Sequence, residues 1–381
     1  MKWVFFIAFP ACILGLNLFL AWAVWRFFAP HKRAQFIGAG AVLGMLLIFA
    51  LSFLGFLMYA QSNAFFAFAW EFLAFAVVPM IYLALWALAG TLAWKIFPKL
   101  ARFKNAFAGI GVALVALVCA YGFWKFENPR VTYLVWNPAT RKLSEFSGPL
   151  KLQTRMRIVA TADWHLGTRI HRARTEKFVR LVNEQHPDLV LIAGDLIDGH
   201  IEPVEAARLE EVLQEIRAPL GVFSALGNHE YFGDMPRQKA FFKRAGVRLL
   251  QDESCLVEDV AGTQICLVGR DDAVNPLRSP LKSVLDRKPA NMRADTPVLV
   301  LDHQPKGAAE AVGAGADFVF SGHTHAGQLW PGTWLVNWFN PYVYGIWRDG
   351  ETLGYVSSGL GLWHLPYRIG SHSELVVIDV E

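Results

Sequence analysis

The chain has 381 residues, 54% of them hydrophobic, with a mean hydropathy of +0.32 and a formal net charge of +4. That is long enough for two domains and too apolar for an average soluble protein. The positive excess owes much to Lys and Arg beside apolar segments, which argues for anionic lipid headgroups and against nucleic acid as a partner.

The apolar excess lies before residue 125, in uncharged stretches at about 4–25, 36–60, 72–94 and 106–124. Each approaches the roughly 20 residues that a helix needs to cross a bilayer. The spacing predicts a transmembrane anchor of four helices over 1–125. The first stretch runs too long, and lacks a clear polar cleavage region, for a signal peptide. Arg26, Lys32 and Arg33 mark the first loop and Lys95, Lys99, Arg102 and Lys104 the third, whereas Gln61–Glu71 contains no Lys or Arg. The positive-inside rule then places both termini, and the domain after the last helix, outside the cytoplasm. Lys125, Arg130, Arg141 and Lys142 dilute that asymmetry.

Residues 126–155 read as a linker with a first strand near Val131–Trp136, and 156–381 as a separate domain. Strands are expected at Met156–Thr161, Asp188–Ala193, Gly221–Leu226, Pro297–Leu301 and Ala316–Phe320. Helices are expected at Arg172–Gln185, Pro203–Arg217 and Pro236–Ala245. Cys255–Asp259 and Gln264–Val268 read as a hairpin that would bring Cys255 opposite Cys266, either as a disulfide or as two reduced thiols. The tail from Tyr355 to Val380 is β-rich. Alternation first and hairpins later suggest an α/β fold of two packed mixed sheets with helices outside.

Polar residues gather where these apolar runs end: Asp163-Trp164-His165, Gly194-Asp195 with Asp198, Gly227-Asn228-His229-Glu230, a lone His303, and Gly322-His323-Thr324-His325. Five of the 11 histidines fall in these groups. Ligands of open α/β sheets bind at the carboxyl ends of strands. A mixture of carboxylates and imidazoles suits Mn, Zn or Fe, whereas Mg or Ca favours oxygen alone.

This ordered set, D-x-H, G-D-x-x-D, G-N-H-E, H and G-H-x-H, closely resembles the calcineurin-like metallophosphoesterase superfamily, in particular its membrane-anchored bacterial members. The resemblance implies a four-layer α-β-β-α sandwich and two divalent metal ions. It assigns Asp163, His165, Asp195 and His325 to one ion and Asp195, Asn228, His303 and His323 to the other. It also implies attack on phosphorus by a metal-bridging hydroxide, with His229, oriented by Asp198, protonating the leaving oxygen.

Arg169 and Arg172 follow the first metal motif and are candidates for holding an anionic headgroup, as is Arg368; the bland reading of the first two is a solvated helix face. The aromatic run from Leu329 to Trp347, starting with Trp330, is expected either to meet lipid at the headgroup level or to form a local core. Together these features predict hydrolysis of a lipid-linked phosphoester or pyrophosphate at the membrane. The alternatives are a cytoplasm-facing hydrolase similar to UDP-diacylglucosamine pyrophosphatases, or a catalytically silent membrane scaffold.

Overall fold

The computed structural model describes residues 64–148, 155–287 and 289–381, together with isolated positions between 15 and 50. The expected spans at 4–25 and 36–60 therefore fall largely outside the described residues. Contacts divide the chain into two units, one of Met1–Trp124 with His364–Tyr367 and the other of Lys125–Trp363 with Arg368–Glu381.

In the first unit, helices run over Ala64–Ile96 and Lys104–Glu127, joined by a 3-10 turn at Pro98–Phe103. Two segments, Ala74–Ile96 and Pro98–Glu127, are long and apolar enough to cross a membrane. Only these two of the four expected spans can be followed among the described residues. Leu88, Leu92, Ile110, Leu114 and Leu117 face outward, as they do on a helix that is apolar all round. Small residues let the two helices meet: a Cβ on Gly111 would come within 2.3 Å of the Trp86 ring. That ring stacks on Phe107 at 4.5 Å, and its Nε1 donates to the Phe107 carbonyl.

The second unit contains two mixed sheets. The first is ordered β2-β1-β13-β3-β4-β5-β6, and the second β11-β12-β10-β9-β8-β7. Their strands are β1 (Arg130–Asn137), β2 (Lys142–Phe146), β3 (Met156–Thr161), β4 (Leu189–Ala193), β5 (Val222–Ala225), β6 (Val247–Leu249), β7 (Glu253–Glu258), β8 (Gln264–Gly269), β9 (Val298–Leu301), β10 (Phe318–Ser321), β11 (Gly345–Asp349), β12 (Thr352–Val356) and β13 (Glu374–Val380).

Period-two alternation builds the core between the sheets. Ile158 and Ala160 of β3, Leu189 and Leu191 of β4, and Ile378 of β13 point inward, against Leu267, Leu299, Leu301, Phe318 and Phe320 of the second sheet. The intervening residues face outward, where Cys266, Val298, Val300 and Val319 meet Leu281, Val284 and Leu285 and the helix Ala308–Ala314. All of β4 is buried, as a parallel strand covered on both faces must be.

The structure departs from the sequence-based expectations in three places. The single helix expected at Pro203–Arg217 is two short ones, Glu202–Ala206 and Leu209–Leu213, broken where Arg208 takes a left-handed φ of 51°. The linker contains a second strand, β2, antiparallel to β1. The hairpin register pairs Cys255 with Leu267 and Leu256 with Cys266, so the two thiols point to opposite faces of the sheet and no disulfide joins them. A slip of one residue is enough to reverse a strand's faces.

Candidate metal centre

Strands β3, β4 and β5 are parallel neighbours in one sheet, and β9 and β10 are parallel neighbours in the other. Their carboxyl ends therefore open on one edge, and the residues just beyond them are Asp163, Asp195, Asn228, His303 and His323. The His303 Nδ1 donates to the Ala193 carbonyl at 2.8 Å and so ties the two sheets together at this edge.

The turns there are strained. Asp163, His165, Asp195, His323 and His325 all adopt φ between 48° and 70°, a left-handed region that few non-glycine residues occupy. Such conformations persist where the surroundings over-determine them, and they cluster at functional sites. Glycine is required alongside: a Cβ on Gly194 would lie 2.7 Å from the Gly227 nitrogen, and one on Gly227 would lie 2.1 Å from Asp195 Oδ1.

Donor atoms form three overlapping groups, the atoms within each lying within 4.8 Å of one another: Asp163, His165 and His325; His165, Asp195 and His229; and Asp195, His303 and His323. His325 Nε2 is 3.1 Å from His165 Nε2 and 3.5 Å from Asp163 Oδ1. His165 Nε2 is 3.8 Å from Asp195 Oδ2. On the other side His303 Nε2 lies 3.1 Å from Asp195 Oδ2 and 3.2 Å from Asn228 Oδ1. Ligands about 2.1 Å from a shared tetrahedral ion sit about 3.4 Å apart, so these spacings fit a cation at each end with Asp195 common to both. The N/O donor set suits Mn, Zn or Fe.

Supporting contacts fix the donors. Asp198 Oδ1 lies 3.2 Å from His165 Nδ1 and 2.8 Å from His229 Nδ1, so one carboxylate oxygen orients both rings and leaves both Nε2 atoms facing inward. Burial opposes charge on His303, but the adjoining Asp195 carboxylate outweighs it and holds this imidazole well above its usual pKa. Burial likewise opposes charge on His229, yet Asp195 and Asp198 push its pKa up to about 9. His323 is held down to about 3, by burial and then by His303. His325 is held well below the usual range, by burial and then by the Arg368 cation. Asp195 is held well below the usual carboxylate range: burial works against its charge, but His303 and His229 prevail. The cluster is thus a compact set of opposed charges and neutral lone pairs.

Two supporting groups have no role assigned in the sequence reading. Glu230, fully buried, accepts the amides of Asp195, Ile197 and Gly227 at 3.1, 3.0 and 2.8 Å and so locks the β4 and β5 turns together. Burial, and then the Asp195 charge, raises its pKa to about 7. Asp272, beyond the carboxyl end of β8, accepts from Gln304, next to His303. Its signal was present, since β8 also ends an apolar run with Gly269-Arg270-Asp271-Asp272.

The candidate substrate residues fare differently. The Arg172 guanidinium reaches Glu176 and Glu211 and the carbonyls of Ala207 and Arg208, away from the donor cluster. Arg169 is half-buried in the turn after His165. Trp330 is 47% exposed beside the His323–His325 loop. Arg368 is fully buried: it donates to the carbonyls of His325, Ser358, Gly359 and Gly361, and its Nη2 lies 3.3 Å from His325 Nδ1. It buttresses His325 from behind. Arg368→Lys keeps the charge but loses the fork, and should weaken any metal binding at the His325 end of the cluster by about 10–100-fold. Titration with Mn(II) followed by calorimetry checks this; unchanged affinity would deny Arg368 that part.

Residues 156–327 match the family model described as calcineurin-like phosphoesterase, and the domain they build belongs to that family. Among relatives, a zebrafish (Danio rerio) protein named transmembrane protein with metallophosphoesterase domain is 32% identical over 71% of this chain and 61% of its own length. An uncharacterized metallophosphoesterase of Helicobacter pylori is 32% identical over 60% of each chain. The uncharacterized Bacillus subtilis metallophosphoesterase YkuE is 25% identical over 73% of this chain and 96% of its own. The chain thus spans about three-fifths of the first two relatives.

Proposed function

We propose that this chain is a membrane-anchored phosphoesterase with a dinuclear metal centre, hydrolysing a phosphoester or pyrophosphate bond of a lipid-linked substrate. The observation that carries it is the convergence of donors from separate strand ends into overlapping trios, each spanning no more than 4.8 Å. In this reading Asp163, His165, Asp195 and His325 hold one ion, and Asp195, Asn228, His303 and His323 the other. When bound, the two ions neutralise phosphoryl charge and activate water. The protein's own part is positioning and proton transfer. His229, charged at neutral pH, donates a proton to the leaving oxygen, while Asp198 holds its ring and stabilises that charge.

Two apolar helices support an anchor, and so does the name of the zebrafish relative. A tethered domain gains effective concentration for a substrate in the same bilayer. Purified protein loaded separately with Mn, Zn and Fe should hydrolyse lipid phosphates, polyprenyl phosphates or nucleotide-linked lipids faster than soluble aryl phosphates. Activity on soluble esters alone would remove the lipid part of the reading and leave the phosphoesterase part.

Orientation across a bacterial inner membrane separates an extracytoplasmic enzyme from the cytoplasm-facing pyrophosphatase alternative. Cys255 is a poor reporter, because its thiol is buried and that burial raises its pKa. Val260, fully exposed at the tip of the β7–β8 hairpin, is the better site. Val260→Cys should react with an impermeant maleimide in intact spheroplasts; labelling only after lysis would favour the inward-facing alternative.

A further inference from the structure

An apolar surface beside the ligand loop takes no part in the chemistry above. From Ala326 to Trp347 the chain carries no charged residue. Within it the helix Gly332–Phe339 buries none of its side chains. Trp334, Leu335, Trp338 and Phe339 are 64%, 58%, 85% and 70% exposed. The spacings 334/338 and 335/339 place them on one stripe of the helix. The rest of the run is different in kind, since Tyr342 stacks on the buried Trp347 at 4.4 Å. The aromatic segment is thus part local core and part bare surface.

We infer that this helix seats in the headgroup region of a lipid bilayer, beside the metal centre, and delivers the phosphate of a membrane lipid to it. The inference rests on the membrane-anchored reading above. Three observations choose lipid as the occupant. The apolar helix Lys104–Glu127 ends just before β1 begins at Arg130, a tether of roughly 10 Å at full stretch. Tryptophan is the side chain most at home at a membrane–water boundary, with an apolar body and a polar N–H. And one stripe on a helix about 12 Å long falls far short of the roughly 800 Å² per partner of a stable protein interface.

The same segment is bonded to the ligand loop. Thr324, between His323 and His325, donates its hydroxyl to the Val343 carbonyl at 2.6 Å. Leu329 forms a bridge with Ile369, next to the Arg368 that buttresses His325. A helix embedded at headgroup depth would therefore hold His323 and His325 level with lipid phosphates.

The test uses the full chain, with its native cysteines replaced, in nanodiscs that hold one copy each. Trp338→Cys and, as a water-facing control, Leu277→Cys (Leu277 is 86% exposed) carry a bimane label. The label at 338 should be quenched by doxyl lipids and shielded from aqueous iodide, and the label at 277 should show the reverse. Equal behaviour at the two sites would overturn the inference, as would shielding at 338 only in discs holding two copies, which would assign the stripe to a second chain. This readout needs no turnover, so it fails or succeeds apart from the phosphoesterase reading. In the active enzyme, Trp334→Ser with Trp338→Ser should raise KM for a bilayer-embedded lipid phosphate by about tenfold, with kcat and aryl phosphate turnover unchanged. Equal losses on both substrates would instead make the stripe a folding element.

Discussion

Asp195→Asn should lower turnover by at least about 10³-fold and reduce the bound metal from two ions to one or none. An amide has the shape of a carboxylate but offers a single neutral oxygen, and Asp195 Oδ2 lies 3.8 Å from His165 Nε2 on one side of the cluster and 3.1 Å from His303 Nε2 on the other. In the proposed assignment its loss would leave the two ions without a shared carboxylate and would forfeit charge stabilisation worth several kcal/mol in the transition state. The fold should survive, since the β4 turn is also held by Glu230 through the Asp195 and Ile197 amides. Metal analysis by plasma mass spectrometry together with steady-state rates decides the matter; near-normal turnover with two ions retained would show that Asp195 is not the bridge.

His229→Asn should cost about 10²–10⁴-fold in kcat while both ions remain bound, because this residue supplies a proton and is not a ligand in the proposed pair. The loss should shrink with p-nitrophenyl esters, whose leaving group needs no proton, and be largest with alkyl esters. The pH profile follows from the same charges. The carboxylates raise the pKa of His229, so the imidazolium persists through neutral pH and kcat falls as pH rises through its pKa. Asp198→Asn removes one of those carboxylates, and so should move the alkaline limb to lower pH. Wild type and variant must be compared with both ions loaded, since the cations lower the limb in each. A limb that stays in place would mean that Asp198 does not act through His229.

Much of the donor cluster was legible in the sequence because its cause is local. A buried parallel strand shows as a short apolar run, and its functional residues must follow within a few positions of its end. Asp163, Asp195, Asn228, His303 and His323 all obey that rule. What the sequence concealed was set by tertiary context. Nothing at Arg208 announces a left-handed break, because neither Gly nor Pro is present to mark it. The β7–β8 loop centres on Ala261, with Asp259 Oδ1 accepting the amides of Ala261 and Thr263, and this register, one residue away from a direct Cys255–Cys266 pairing, parts the cysteines. The long side chains of Arg172 and Arg368 reach partners distant in sequence. One meets Glu211 on a neighbouring helix and the other becomes a buried prop for His325.

The most direct measurement is electron paramagnetic resonance of the full chain titrated with Mn(II). The account predicts two equivalents bound, with an exchange-coupled signal from ions that share the Asp195 carboxylate. Two uncoupled Mn(II) signals, or saturation at a single equivalent, would contradict it.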